Sequence, residues 1–70
     1  MKFAEALKIL DVPTDNQYGK IVISSKKRNR HLFYNKDGML FESTCEWPAT
    51  YEPIERDFMA DDWEIYEVKD

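Results

Sequence analysis

The first apolar positions of the chain recur at helical spacing. Phe3, Leu7 and Leu10 fall at i, i+4 and i+7 with Ala6 beside them, while Lys2, Glu5 and Lys8 lie mostly off that face. This spacing predicts a short helix over 3–10. Pro13 marks its end, because the residue before a proline resists the α region. A helix this short is marginal in water by itself, so its apolar stripe must dock on something else, and a sheet is the natural platform.

The rest of the chain reads mainly as strands. Thr14 to Gly19 is polar and predicts a loop. Ile21-Val22-Ile23 is β-branched and predicts a strand. Ser24 to Arg30 is polar and basic, a loop or the end of a hairpin, and His31 to Asn35 returns as an aromatic strand through Leu32, Phe33 and Tyr34. Asn35-Lys36-Asp37-Gly38 is the clearest local signal: Asp-Gly tolerates positive φ between apolar flanks, so it predicts a β-hairpin turn, with Met39 to Ser43 as the returning strand. Thr44 to Pro53 carries Trp47-Pro48 and Pro53 and reads as irregular; Ile54 to Met59 fits one helical turn. Trp63 to Val68 predicts a final strand, with Trp63 and Ile65 on one face and Tyr66 and Val68 on the other. Apolar residues on both faces suggest two covers, the helix and a neighbouring subunit. Trp63 is assigned to the core. No repeat or low-complexity segment is present. The expected architecture is α+β, one N-terminal helix packed on an antiparallel sheet of about four strands, in a single domain over residues 1–70.

Composition narrows the class. The chain has 70 residues, 43% hydrophobic, too apolar for a disordered segment, and 14% aromatic. No apolar run approaches the length of a membrane span, and the start lacks a signal peptide's apolar stretch. The single Cys forms neither an internal disulfide nor a Cys-based zinc cage, which points to the reducing cytoplasm. A domain near 60 residues buries only about 60% of the surface its unfolded chain exposes. Large aromatics in the core, or a second subunit, are therefore expected to stabilise it.

Charge is segregated. Residues 1–40 hold eight bases and four acids, residues 41–70 two bases and ten acids, and the stretch from Lys20 to Lys36 has six bases and no acid. The formal charge of −4 thus hides a basic and an acidic half. Two readings follow: the halves neutralise each other across the fold or a subunit contact, or the basic stretch holds phosphate.

Two terminal segments resemble a known family. Lys2-Phe3-Ala4-Glu5-Ala6-Leu7-Lys8-Ile9-Leu10 is similar to an opening "F-x-E-A-L" helix, and Ala60-Asp61-Asp62-Trp63-Glu64-Ile65-Tyr66-Glu67 to a closing "A-D-D-W-E" strand. Both belong to the Thoeris anti-defence protein 2-like family of small phage and prophage proteins. Gly19-Lys20-Ile21-Val22 and Leu32-Phe33-Tyr34-Asn35-Lys36-Asp37-Gly38 stand in the order of that family's first strand and "Y-x-Y-x-D-x-D-G" hairpin. The resemblance runs along the whole chain, with its specific motifs at the two ends. It implies an oligomeric α+β protein that binds and sequesters a cyclic ADP-ribose-type nucleotide signal and so blocks a bacterial defence effector. The chain departs from the family after the first strand: where relatives often carry "R-x-G-W" or "R-K-S-W", it has Ser24-Ser25-Lys26-Lys27-Arg28-Asn29-Arg30 and no Trp. A shared fold does not by itself carry over a ligand that such a Trp would stack on.

Candidate chemistry favours binding over catalysis. His31 and Cys45 are a nucleophile and base only if the fold joins them, and no glycine-rich oxyanion segment accompanies them. Asp57, Asp61 and Asp62 lack the alternating loop and central glycine of a calcium hand, so Asp61-Asp62 reads as a solvated turn. No cofactor, metal or catalytic residue is expected. A nucleotide needs cations for phosphate and an aromatic face for the base. Lys26, Lys27, Arg28 and Arg30 are the candidate cations, and Tyr34 and Trp47 the aromatic candidates, with Tyr51 and Trp63 behind them. Trp47 also fits core or interface packing. Lys26 to Arg30 followed by Leu32-Phe33-Tyr34 has the mixture of single-strand nucleic-acid binders, but the net charge opposes a phosphate backbone. The alternative is an inhibitor of a host protein: the acidic segment from Glu42 to Glu67, interspersed with Trp47, Tyr51, Phe58 and Trp63, can mimic nucleic acid or cover a basic surface.

Overall fold

The computed structural model describes residues 1–44 and 46–68. Helix α1 spans Phe3–Leu7 and is followed by strands β1 (Ile21–Ser25), β2 (Arg30–Tyr34), β3 (Leu40–Glu42) and β4 (Ala49–Thr50). Helix α2 (Glu55–Met59) and strand β5 (Glu64–Glu67) complete the order. The strands form one antiparallel sheet in the order β4-β3-β2-β1-β5. The expected α+β class holds. The sheet has five strands rather than about four, because a two-residue β4 lies within the segment read as irregular and pairs Phe41 with Thr50 and Glu42 with Ala49.

Period-2 alternation fixes which face is which. Ile23, Leu32 and Ile65 share a face through the pairings Ile23↔Leu32 and Ile23↔Ile65. That inner face carries the core, in which Phe3, Ala6, Leu10, Ile23, Leu32, Ala60 and Trp63 are buried. Phe3 is the hub: its ring lies 4.8 Å from that of Trp63 and 4.9 Å, edge-on, from that of Phe58. Trp63 is therefore core, as its alternation predicts. Its indole N–H donates to the carbonyl of Asp57 at 2.9 Å, which satisfies the one polar atom of a buried ring.

Helix α1 is shorter than the 3–10 spacing suggests. The Ile9 N–H already bonds to the Ala6 carbonyl at 3.1 Å, a tightened last turn. The chain then extends, Leu10 still reaching the core and Asp11 reaching β1. The Asp11 carboxylate accepts N–H bonds from Lys20 at 3.1 Å and Ile21 at 2.9 Å. Gly19 permits this clamp, since a Cβ there would stand 2.6 Å from the Asp11 carbonyl oxygen.

Among the described residues, no helix lies on the outer face. Val22, Phe33 and Phe41 face outward, and Tyr18 from the 14–19 loop covers part of them, with ring centroids 5.3 Å from Phe33 and 5.7 Å from Phe41. Tyr66 and Val68 on this face stay about half exposed. The expected first cover of β5, toward the helices, is present. The Asn35–Gly38 turn forms as its sequence predicts: Gly38 takes φ +77° and donates to the Asn35 carbonyl at 3.0 Å. The buried Asn35 side-chain oxygen accepts the N–H groups of Asp37 and Met39. Among the described residues, no helix is long and apolar enough to cross a membrane.

Candidate functional site at the basic hairpin end

One end of the sheet gathers the charged chemistry. The β1–β2 connection, residues 26–29, lies there, because Ser25 pairs with Arg30 across the ladder. The segment after β3 reaches the same end through the Ser43 N–H bonded to the His31 carbonyl at 2.9 Å. The chain entering β5 arrives there too, through Ser24↔Glu64.

The acidic half meets the basic half at this end. Arg28 Nε donates to Asp57 Oδ1 at 2.7 Å, Lys27 Nζ to Asp61 Oδ1 at 3.1 Å, and Arg30 Nη1 lies 3.4 Å from Glu42 Oε2. The charge asymmetry of the sequence is thus partly resolved inside the fold, by these three pairs. Lys26 and Arg56 stand without an ion-pair partner among the described residues.

Asp57 organises the end. Its side chain is fully buried. Besides Arg28 it accepts the Tyr51 hydroxyl at 2.6 Å and the Ile54 N–H at 2.9 Å, so it also closes the first turn of α2. Burial by itself pushes this carboxyl up, but the bonds from Arg28, Tyr51 and Ile54 outweigh it and hold it below the ordinary carboxylate value. Burial, reinforced by the bond to Asp57, pushes the Tyr51 phenol up. Arg30 lies over the Tyr51 ring, 5.6 Å from its centroid, which ties the second arginine to the same cluster.

Asp62 fixes the hairpin itself. It accepts the Ser25 hydroxyl at 2.5 Å and the Lys27 N–H at 3.0 Å, while Ser25 Oγ accepts the Arg28 N–H at 3.1 Å. These bonds, from Ser25 first, hold the Asp62 carboxyl below its ordinary value. Reading Asp61-Asp62 as a solvated turn therefore fits exposed Asp61 and misses Asp62. Asn29 closes the connection in the left-handed region at φ +52°, a conformation that asparagine tolerates better than most residues.

The hairpin divides its surroundings in two. Toward the outer face lies a cleft of about 220 Å³ lined by Ser24, Lys26, Asn29, His31, Asp62 and Glu64. Toward α2 lies a shallower groove lined by Lys27, Arg28, Arg56, Met59 and Ala60.

The structure brings Lys26, Lys27, Arg28 and Arg30 together at this end but turns them to different sides. Trp47 lies in the connection between β3 and β4, 77% exposed, with its N–H bonded to Thr44 Oγ1 at 3.1 Å. It is not a core residue of this chain. Tyr34 is not brought to the hairpin: it ends β2 at the opposite end of the sheet, about 13 Å along the strand from Arg30, and packs against the core. His31 is exposed, its Nδ1 3.1 Å from the Tyr66 hydroxyl. Cys45, the other half of the Cys–His pair considered from sequence, lies outside the described residues. No group of three or more His, Cys, Asp or Glu among the described residues is placed to hold a metal. Asn29 and Arg56 are not among the site candidates the sequence offers, and His31 is weighed there only as half of a Cys–His pair. Only Arg56 had a usable signal, as the one base amid the acids of 41–68.

The fold thus defines a small α+β domain with a polar hairpin end. No family model, curated protein or solved structure matches the chain.

Proposed function

We propose that this chain is a non-catalytic binding protein of phage or prophage origin that sequesters a small phosphate-bearing nucleotide, of the cyclic ADP-ribose type that its sequence resemblance implies. One observation carries the reading. The outer cleft at the hairpin end joins Lys26, a cation with no ion-pair partner among the described residues, to the donor and acceptor groups of Asn29, Ser24 and His31, with the carboxylates of Asp62 and Glu64 on the same lining. At about 220 Å³ this cleft is smaller than the roughly 300–1,000 Å³ of most small-molecule sites. One chain therefore holds part of such a ligand, and a second copy supplies the remaining wall, which agrees with the oligomer expected from size. Isothermal titration with cyclic ADP-ribose isomers tests the proposal. Saturable binding that weakens about tenfold in Lys26→Ala supports it, and absence of heat from folded protein with every isomer overturns it.

A second reading, an inhibitor that docks on a host protein, is favoured by one specific observation. Trp47 at 77% and Met59 at 74% exposure stand near the exposed acids Glu46, Glu52 and Glu55 in sequence, a combination suited to a basic partner surface. A stoichiometric partner captured from bacterial lysate by the native chain but not by Trp47→Ala selects this reading.

A further inference from the structure

The outer face of the sheet carries a second recess, separate from the cleft at the hairpin end. It has a volume of about 260 Å³ and is bounded by three aromatic rings from three elements: Tyr18 from the 14–19 loop, Phe33 from β2 and Tyr66 from β5. Val22 and Val68 line the space between them. We propose that this recess binds the trimethylammonium group of a small organic cation, with Phe33 as its floor and Tyr18 and Tyr66 as its walls.

The case rests on how the rings are placed and held. Phe33 is almost wholly buried, and the Tyr18 ring stands at 85° to it with centroids 5.3 Å apart, a wall against a floor. The backbone at Tyr18 is pinned by its bridge to Asn35. Flanking bonds run from the Gly19 N–H to the Tyr34 carbonyl at 2.8 Å and from the Lys36 N–H to the Gln17 carbonyl at 3.0 Å. Tyr66 is fixed at both ends. The pairing Val22↔Tyr66 sets its backbone, and its hydroxyl meets His31 Nδ1 at 3.1 Å. Rings ordered before the ligand arrives lose little entropy on binding. The ring quadrupole attracts a cation, and several rings around one site do so together, which is how trimethylammonium groups are held in aromatic cages.

The surrounding charge has the matching sign. Among the described residues, no charged side chain lines the recess. Lys20 follows Gly19 in sequence, and its charge acts on the Asp11 carboxylate. Glu64 is exposed on the outer face, two residues before Tyr66, and the whole chain carries a formal charge of −4. An anion finds no cation in this lining, and a strongly polar neutral group finds only the Ser43 hydroxyl and the two phenols. An aliphatic group would be served as well by valine and leucine walls, whereas three rings add an attraction that a cation draws on and an aliphatic group does not.

The proposal does not depend on the nucleotide reading, because the recess shares no lining residue with the cleft around Lys26. Choline chloride, and the neutral alcohol in which carbon replaces its nitrogen, are titrated at constant ionic strength into the full, isotope-labelled chain while amide resonances are followed. Choline should shift the amides of Gly19, Val22, Phe33 and Val68 with saturation, and should bind about tenfold more tightly than the neutral isostere. Tyr66→Leu keeps apolar bulk at a half-exposed position but removes the ring. It should weaken choline about fivefold and leave the isostere unchanged. Tyr66→Phe keeps the ring and should bind choline nearly as the native chain does, and Lys26→Ala should have no effect. Equal binding of the isostere, or native choline affinity in Tyr66→Leu, overturns the proposal. So does the absence of saturable shifts, including the case in which a second copy of the chain covers this face.

Discussion

At the scale of single residues, Asp57 matters most. It is a buried carboxylate that accepts from the Arg28 guanidinium of the hairpin, from the Tyr51 hydroxyl and from the Ile54 backbone N–H at the start of α2. Removing one partner of a buried pair leaves the other charge uncompensated, so Asp57→Ala should cost about 3 kcal/mol, toward the low end for such a change because Arg28 keeps some contact with solvent. Urea unfolding followed by tryptophan fluorescence measures it. A domain of this size has only roughly 4–10 kcal/mol in total, so the variant should be visibly destabilised. Trp63→Phe keeps most of the buried ring but removes the N–H that bonds to the Asp57 carbonyl, so it should be destabilised yet remain folded. Gly19→Ala brings a Cβ to 2.6 Å from the Asp11 carbonyl oxygen and should cost about 1–3 kcal/mol by forcing the Asp11 clamp open. A melting temperature equal to that of the native chain would refute that account of Gly19. None of these partnerships is readable from local sequence. Arg28 and Asp57 are 29 positions apart, and charge counting alone shows only that bases and acids lie in different halves.

At the scale of elements, legibility follows how local the physics is. The Asp37-Gly38 turn and the β-branched run of β1 are each specified within a few residues and appear where the pattern places them, while the stripe of Phe3, Leu7 and Leu10 with Ala6 meets the core although its helix stops at Leu7. The α2 turn at 55–59 was visible for the same reason. Strand β4 was not. Ala49 and Thr50 lie between Pro48 and Pro53 and show no alternation, and they become a strand only because β3 offers an open ladder. β1 also runs further than its apolar run, to Ser25, since Asp62 accepts the hydroxyl of that buried serine. The hairpin end is legible in its charge but not in its division into two sides. Asp62→Ala should therefore loosen residues 25–28 without unfolding the sheet. Amide exchange at Lys27 and Arg28, whose N–H groups bond to Asp62 and Ser25, should accelerate while that of Ile23 and Leu32 stays protected.

At the scale of the whole molecule, the net charge of −4 is a remainder after internal pairing rather than a uniformly acidic surface. Its stability should depend on pH in one direction at the acid end. Asp11, Asp57 and Asp62 are all held below the ordinary carboxylate value in the folded chain, so the unfolded chain binds more protons as pH falls. Their contribution is complete above the unfolded value near pH 3.9 and is lost as pH drops through the lower folded values. An acid titration of Trp63 fluorescence should show the unfolding midpoint below about pH 4, and a midpoint above pH 5 would contradict this assignment. The open outer face, with Tyr66 and Val68 about half exposed, and the small size favour assembly of copies of the chain. Light scattering should give a mass above 8.4 kDa, and a monomer mass at working concentration would refute assembly. The sheet order has a consequence for synthesis. β1 to β4 form a meander of neighbours that can pair as each emerges from the ribosome, but β1 keeps one bare edge until β5 arrives. Trp63, which fills the core beside Phe3, arrives with that same last segment. A nascent chain halted before residue 60 would thus expose an unpaired strand and the apolar surface of Phe3 and Ile23 together, a substrate for chaperones and proteases rather than a smaller version of the domain.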